Sequence, residues 1–516
     1  MAEAFAEPPR QRPSLDPSNH QNPLRQRSKI SQAPTRPEAR SYALDEKLRQ
    51  AYFWIVNYAI ISPYYDIAYE EGPSQHYRIG QSEITLPSAQ SYASFVLLPL
   101  LNFAVRRKCL LTGGPGRGKT ASAVLMGVLA GYDVKTVRRS VQQGQPQMTI
   151  MDLLGNPLPS DLVQATDMDQ IKIAWRKWLG MRVKIIDEYN RIPTRTQSAL
   201  LTLMGDNYAE VLDQIYECPE AAWYLTANAD EQGGTYAVIE ALRDRIDIVV
   251  RTLHFSPRFL EDLLFRLENQ LKPEDIVPPE IIFSAEETEQ MYEDILNVNL
   301  PAPLRRRIEH FASQFEFCEG AAEQFEYKTK DTLRLSQKAI PVSREGLHLG
   351  EQTQNGLSVR ALLTLILFCK ALAYFRGQRS VSLEDIRQIL PFVLHDKLHP
   401  NPQASFFADA AHQVYLSDRI SWLRMLFDAS CQEYYQLNLD HEDPIQELSD
   451  EFEKGLQDVD GTQVRQRLQR IENLFYALSK SASESVRPTL YDDLVKLKYF
   501  HQRYTNYLAW LEWKEK

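Results

Sequence analysis

One octapeptide constrains this chain more than any other feature. Gly113-Gly114-Pro115-Gly116-Arg117-Gly118-Lys119-Thr120 fits the pattern G-x-x-x-x-G-K-[ST] at every fixed position. The apolar run Cys109-Leu110-Leu111 precedes it and the helical stretch Ala121-Ser122-Ala123-Val124-Leu125 follows, so a strand leads in and a helix leads out. Glycines without Cβ atoms let the backbone curl until its N–H groups face a phosphate, and the new helix, starting about Ala121, points its partly positive end at the same place. Lys119 is then expected to hold the β and γ phosphates and Thr120 to ligate Mg²⁺, which makes ATP and Mg²⁺ the expected cofactors.

Further along, Val183-Lys184-Ile185-Ile186-Asp187-Glu188 reads as a buried strand ending in two carboxylates. Open parallel sheets present their chemistry at strand C-termini. Asp187 is expected to support the Mg²⁺ shell, and Glu188, spared by the metal, to polarise the attacking water as general base. A third run, Ala222-Trp223-Tyr224-Leu225-Thr226-Ala227-Asn228, brings a polar amide to the same edge, where Asn228 can orient that water or simply cap the strand. Ala241-Leu242-Arg243-Asp244-Arg245-Ile246-Asp247 opens another apolar stretch with two arginines. Arg245 is the first candidate for a charge delivered to a neighbouring subunit's transferring phosphate, with Arg243 the fallback and a surface ion pair the plain alternative. Arg360, in the first turn of an apolar helix with Ser358 as its cap, is placed to reach a γ phosphate from a lid.

The three runs at Lys108–Thr112, Val183–Ile186 and Ala222–Thr226 are short and rich in aliphatic residues, as strands buried on both faces are, and helical stretches separate them. The fold class is therefore α/β, a parallel sheet flanked by helices. After Phe283 the pattern is helical, interrupted by a polar stretch over 318–350 that reads as an insertion or long loop. The expected organisation is a Pro-, Gln- and Arg-rich disordered arm over 1–40, a helical lead-in over 41–106, the nucleotide-binding α/β domain over 107–255, a helical lid over 256–400 and a C-terminal helical hairpin region over 401–516. In that last region Val464, Leu468, Ile471, Leu474, Phe475 and Leu478 share one helical face, Leu490, Leu494, Leu497, Tyr504, Leu508 and Leu511 share another, and Pro488 divides them.

Composition removes several function classes. A net charge of −10 disfavours a general nucleic-acid binder, since phosphate neutralisation dominates that affinity. No run approaches the ~20 apolar residues of a membrane span. The N-terminus lacks an apolar signal core, so a cytoplasmic location without membrane insertion is expected. The five cysteines are scattered, without metal or redox spacing, and read as packed thiols.

Taken in order, these motifs resemble the MoxR family of AAA+ ATPases. Asp187-Glu188-Tyr189-Asn190-Arg191-Ile192-Pro193-Thr194-Arg195-Thr196-Gln197-Ser198-Ala199-Leu200-Leu201 is similar to that family's extended D-E-[IY]-N-R-x-x-x-[RK]-x-Q-x-A-L-L signature. Asn228, Gly234-Thr235-Tyr236, Glu240-Ala241 and Asp244-Arg245 resemble its sensor-1, G-T-Y and D-R-F elements, and Leu357-Ser358-Val359-Arg360 its S-x-R sensor-2 site. Ala229, Ala237-Val238-Ile239 and Ile246 depart from the family pattern. Asp152-Leu153-Leu154-Gly155 and the stretch to Leu162 resemble, loosely, the region that projects loops toward the ring pore. The resemblance implies a P-loop AAA+ module with a small helical lid, a hexameric ring, and a chaperone-like task on a protein client, sometimes one with a von Willebrand factor A domain. Two other functions compete: a nucleotide-gated scaffold with little turnover, and a nucleic-acid motor of McrB-like or helicase type. Glu188 and Asn228 speak against the first and the acidic balance against the second.

Overall fold

Five short strands form the floor on which everything else is placed: β1 (Lys108–Thr112), β2 (Gln142–Gln143), β3 (Val183–Asp187), β4 (Ala222–Ala227) and β5 (Ile248–Arg251). In the computed structural model, which describes residues 43–80, 82–164, 171–228, 238–337, 349–439, 444–456, 459–482 and 488–514, they pair in the order β5-β1-β4-β3-β2. Every pairing is parallel. Consecutive side chains go to opposite faces of a strand, and both faces here are apolar. Cys109, Leu111, Ile185, Tyr224 and Val250 belong to one core, while Leu110, Ile186, Trp223, Leu225 and Val249 belong to the other. The exception is Lys184, buried on β3, whose ammonium escapes to the strand's N-terminal edge and donates to Met181 O (2.9 Å) and Pro219 O (3.2 Å). Burial pulls its pKa down to about 8.

The helices used below are α1 (Leu44–Trp54), α2 (Ser94–Val105), α3 (Lys119–Leu129), α4 (Thr194–Asp206), α5 (Leu260–Glu268), α6 (Ala302–Glu316), α7 (Val359–Phe375), α8 (Leu383–Leu394), α9 (Gly461–Ala482) and α10 (Pro488–Lys514). The first core runs without a break from Leu48 on α1, through the entirely buried α2 and the sheet, to α7, α8 and Phe427. Polar ties reinforce it. Buried Asp385, in the capping box of α8, accepts from Tyr69 Oη at 2.7 Å and pairs with Arg376 at 2.8 Å, which joins the lead-in to the lid helices.

Two stretches differ from the sequence expectation. Residues 41–106 are not helical throughout: Ile67–Ala68 pairs antiparallel with Ser91–Tyr92, and Gln75–Ile79 pairs with Ser82–Leu86. The second pair alternates apolar Tyr77, Ile79, Ile84 and Leu86 with polar Arg78, Glu83 and Thr85, a period of two that suits strands and not helices. Within 318–350 the described part carries turns at Glu319–Ala321 and Phe325–Tyr327 and a short helix Lys330–Leu335. That helix is seated by buried Lys330, whose ammonium donates to Gly350 O (2.5 Å), Thr353 O (3.0 Å) and Thr353 Oγ1 (2.5 Å). The segment called an arm, 1–40, lies outside the described residues, as does Gly234-Thr235-Tyr236.

At the C-terminus α9 and α10 run antiparallel, tied by Arg465 to Glu512 (2.9 Å) and Arg467 to Tyr504 Oη (3.2 Å) around a separate small core of Val464, Ile471, Leu497, Phe500 and Tyr504. Among the described residues no helix is long and apolar enough to cross a membrane.

Candidate functional site

The phosphate loop turns out of β1 and into α3 at the C-terminal edge of the sheet. Gly113, Gly116 and Gly118 take φ values of +136°, +69° and +78°, which L side chains rarely adopt. A Cβ on Gly113 would also fall on the hydroxyl of Thr252, which follows β5 alongside the loop. At Gly116 and Gly118 a Cβ would meet no atom within 4 Å, so conformation, not crowding, demands glycine there. Pro115, Gly116, Arg117 and Gly118 are exposed, Gly114 is half-exposed, and Lys119 is buried where α3 begins, with Thr120 and Ala121 following in its first turn.

Three acceptors take the three protons of the Lys119 ammonium: Gly113 O, Gly114 O and Asn228 Oδ1, each at 2.8 Å. Burial lowers the lysine's pKa and Arg117 adds to that, while Asp187 and Glu188 pull the other way. The amide of Asn228 then passes the connection on, because its Nδ2 donates to Glu188 Oε1 at 2.9 Å. Lys119, Asn228 and Glu188 thus form one continuous chain of hydrogen bonds.

The neighbouring carboxylate is held separately. Asp187 Oδ1 accepts from Thr120 Oγ1 at 2.7 Å and from Thr226 Oγ1 at 2.5 Å, and Oδ2 accepts from Gln143 Nε2 at 3.2 Å. Thr226 also accepts from the Glu188 amide at 2.9 Å, so one hydroxyl on β4 sets both acidic residues. Glu188 sits at φ +54°, a left-handed conformation uncommon for a side-chain-bearing residue. That turn sends adjacent carboxylates to different partners: Asp187 to the hydroxyl of the phosphate loop, Glu188 to Asn228 and, through Oε2, to Arg191 Nε at 3.2 Å. Such local strain persists only where the surroundings impose it, and it recurs at functional sites.

Arg245 and Arg360 are not brought to this edge of their own chain. The strands are parallel and five residues of β1 separate Lys108 from Gly113, about 16 Å at roughly 3.3 Å per residue. Asp247 marks the far end: its Oδ2 accepts from Lys108 N at 3.0 Å, and its Oδ1 accepts from Thr364 of α7 at 2.9 Å. One turn earlier on α7, Arg360 pairs with Asp244, whose Oδ1 also accepts from Ser358 Oγ at 3.3 Å and whose carbonyl accepts from Lys397 Nζ at 2.8 Å. Arg245 Nη1 donates to Ala241 O at 3.1 Å, and its Nε is buried against Gly205 of α4 with no hydrogen-bond partner among the described residues. Arg243 faces a different group, acting by its charge on Asp396 and His399. The arginines therefore collect at the N-terminal edge of the sheet and the phosphate loop at the C-terminal edge.

A family model of the ATPase family associated with various cellular activities (AAA) matches residues 108–248, and an AAA lid domain model matches 348–413. Chaperone MoxR1 of Mycobacterium tuberculosis is 22% identical over 295 residues, which cover 56% of this chain and 67% of that protein. Residues 108–248 are an AAA ATPase domain and 348–413 an AAA lid domain, and with the similarity to MoxR1 these matches support a MoxR-family AAA+ ATPase. A solved structure from Cytophaga hutchinsonii, described as a "putative ATPase", is 20% identical and covers 62% of this chain and 86% of its own, at a TM-score of 0.44.

Residues fit to hold nucleotide and metal are present in this MoxR-family module. Open glycine conformations along an exposed loop leave its concave side to a phosphate chain. A hydroxyl and a carboxylate in contact, Thr120 and Asp187, are the hard oxygen donors that Mg²⁺ takes. Sequence reasoning missed Thr226, Gln143 and Arg191 as partners of the two carboxylates. Thr226 had a signal, being the one aliphatic hydroxyl in an apolar strand two residues before Asn228, whereas Gln143 had none.

Proposed function

We propose that this chain hydrolyses ATP with Mg²⁺ in a ring of subunits, a hexamer by family resemblance, and uses the cycle to remodel, assemble or activate a protein client. The observation that carries the reading is the hydrogen-bonded chain Lys119–Asn228–Glu188 beside the Thr120–Asp187 pair. Gly113 through Ala121 would wrap the phosphates, with Lys119 exchanging its present carbonyl partners for phosphate oxygens. Thr120 and Asp187 would hold Mg²⁺. Bound Mg²⁺ supplies charge neutralisation at the phosphate oxygens. Glu188 would take the proton of the attacking water, and Asn228, already touching both Lys119 and Glu188, would hold that water in line.

Arg245 and Arg360, at the other strand edge, would serve a neighbouring copy's nucleotide, Arg245 as the transition-state charge and Arg360 steered by Asp244. The name of the tuberculosis relative, a chaperone, supports a protein client, and a von Willebrand factor A domain is the candidate class. The division into a lead-in over 41–106, a nucleotide domain over 107–255 and a lid over 256–400 is part of the same proposal.

Steady-state hydrolysis by the purified chain tests the reading, with Glu188→Gln as the control that keeps nucleotide affinity and loses turnover. A Glu188→Gln protein that turns over as fast as the parent removes Glu188 from the role. Capture of partners on that variant with ATP bound, read by mass spectrometry, identifies the client.

A further inference from the structure

Helix α10 carries two apolar faces, and the hairpin uses one of them. Leu497, Phe500, Tyr504, Leu508 and Leu511 close the small core against α9. On the opposite side, at about 100° per residue, steps of four and three alternate from Val495 through Tyr499, Gln502, Asn506 and Ala509 to Trp513. That is the seam spacing by which one helix packs along another, and here Trp510 widens it. The seam is uncovered: Val495 is 43%, Tyr499 51%, Trp510 46% and Trp513 73% exposed. The hairpin is anchored nearer the start of α10, where Tyr491 stacks on Phe317 and Lys498 pairs with Glu326. Beyond that anchor Gln502, Arg503 and Asn506 are exposed as well.

Charge says what kind of helix fits. Over residues 495–514 the one acid is Glu512, and it is tied back to Arg465 of α9 at 2.9 Å. Lys496, Lys498 and Arg503 hold the positions that flank such a seam and select a partner by charge, and Lys514 lies over the Trp510 ring at 5.2 Å. Glu326 engages Lys498, while Lys496, Arg503 and Lys514 have no carboxylate partner among the described residues. A second copy would set these cations against themselves. A bilayer penalises Gln502 and Asn506 in the middle of the face, whereas a partner helix can hydrogen-bond them and so gain a fixed register. A nucleic acid would use cations and rings but has no need of the four-and-three spacing. We infer that the outer face of α10 docks an amphipathic helix of a protein client, apolar along its seam and acidic at its flanks, a step that rests on the client reading above.

The test titrates the full chain into two fluorescently labelled peptides of about three heptads, each with isoleucine and leucine along the seam and one central seam asparagine. Glutamate flanks the seam in one peptide and lysine in the other, and anisotropy is the readout. Lys496→Glu/Arg503→Glu is the paired variant. Both side chains lie outside the hairpin core, and an unchanged thermal transition and ATP turnover check that the fold is kept. The parent is expected to bind the glutamate peptide about tenfold or more tightly than the lysine peptide, and the variant to reverse that order. Trp513→Ala should weaken the glutamate peptide by about tenfold and leave the preference as it was. Equal binding of the two peptides, or a preference that charge reversal does not alter, overturns the inference. So does a single-stranded oligonucleotide that outbinds the glutamate peptide and loses its affinity in the same variant, which assigns the face to nucleic acid. A chain that hydrolyses ATP yet binds neither peptide overturns the docking face and leaves the proposed function standing. One that binds the glutamate peptide but hydrolyses no ATP does the reverse.

Discussion

The two edges of the central sheet are both polar, charged and interlocked, yet only one of them carries the open glycine loop. At the C-terminal edge the hydrogen bonds tie the glycine loop to both carboxylates: Lys119 through Asn228 to Glu188, Thr120 to Asp187. At the N-terminal edge Arg360, Lys397, Asp244, Asp247 and Thr364 satisfy one another, and Arg245 is packed on Gly205 without a carboxylate partner in any described contact. A strand length of about 16 Å separates the edge that holds this basic cluster from the glycine loop, which favours its serving a neighbouring copy. On the proposed reading each chain carries the two halves of a site, and the halves meet between chains.

If that is so, the largest loss comes from the half that faces the neighbour. Arg245→Ala is expected to reduce turnover by on the order of 10³-fold or more with nucleotide affinity held within a few-fold, measured as kcat against analogue binding. Variant chains added to parent rings should lower activity more steeply than in proportion to their fraction. Next, Glu188→Gln is expected to cost about 10²–10⁴-fold in kcat while KM stays near the parent value. A much smaller effect is expected at the joint that steers Arg360. Asp244→Asn breaks a partly exposed pair worth about 1 kcal/mol or less, so turnover should fall by no more than about fivefold.

The smallest effect concerns neither edge and serves as the internal control. The C-terminal hairpin docks beside the end of α6, where Tyr491 stacks on Phe317, the residue after the helix, at 5.3 Å and Lys498 pairs with Glu326 of the following turn. Burial, with Glu316 nearby, pushes the Asp492 carboxyl up to about 6. A folded-state pKa above the unfolded value of roughly 4 means that the folded chain binds the proton more tightly. Stability then falls as pH rises from about 4 to about 6 and is level above that. Amide exchange of α10, corrected for intrinsic rates, should be slower at pH 5 than at pH 7.5, and Asp492→Asn should remove the difference without touching the nucleotide site.

The sequence made the C-terminal edge legible because its chemistry is written in contiguous letters. Gly113 to Thr120 and Asp187-Glu188 are local patterns, and the buried strands that carry them show as short aliphatic runs. Asn228 was readable from its place at the end of such a run. The N-terminal edge was only half legible: Arg245 and Arg360 stood out as arginines at helix and strand starts, but the edge to which they belong depends on α7 meeting the residue before β5, a tertiary fact set by the hydrogen bond from Thr364 to Asp247. The hairpin of Gln75–Ile79 with Ser82–Leu86 was lost among helical stretches, although its alternation was present, because neither face is buried and its apolar residues do not add up to a strand-like run. Gln143 sits in a two-residue strand that no periodicity can announce.

Complementation between two disabled chains tests the composite site most directly. Lys119→Ala removes the phosphate loop's lysine and leaves the arginines, whereas Arg245→Ala removes the arginine and leaves the loop. Each should be nearly inactive alone, and mixing them should restore hydrolysis at the contacts where an intact loop meets an intact arginine. Mixtures that co-assemble yet stay as inactive as their components at every ratio would contradict the assignment of the two sheet edges to one shared site.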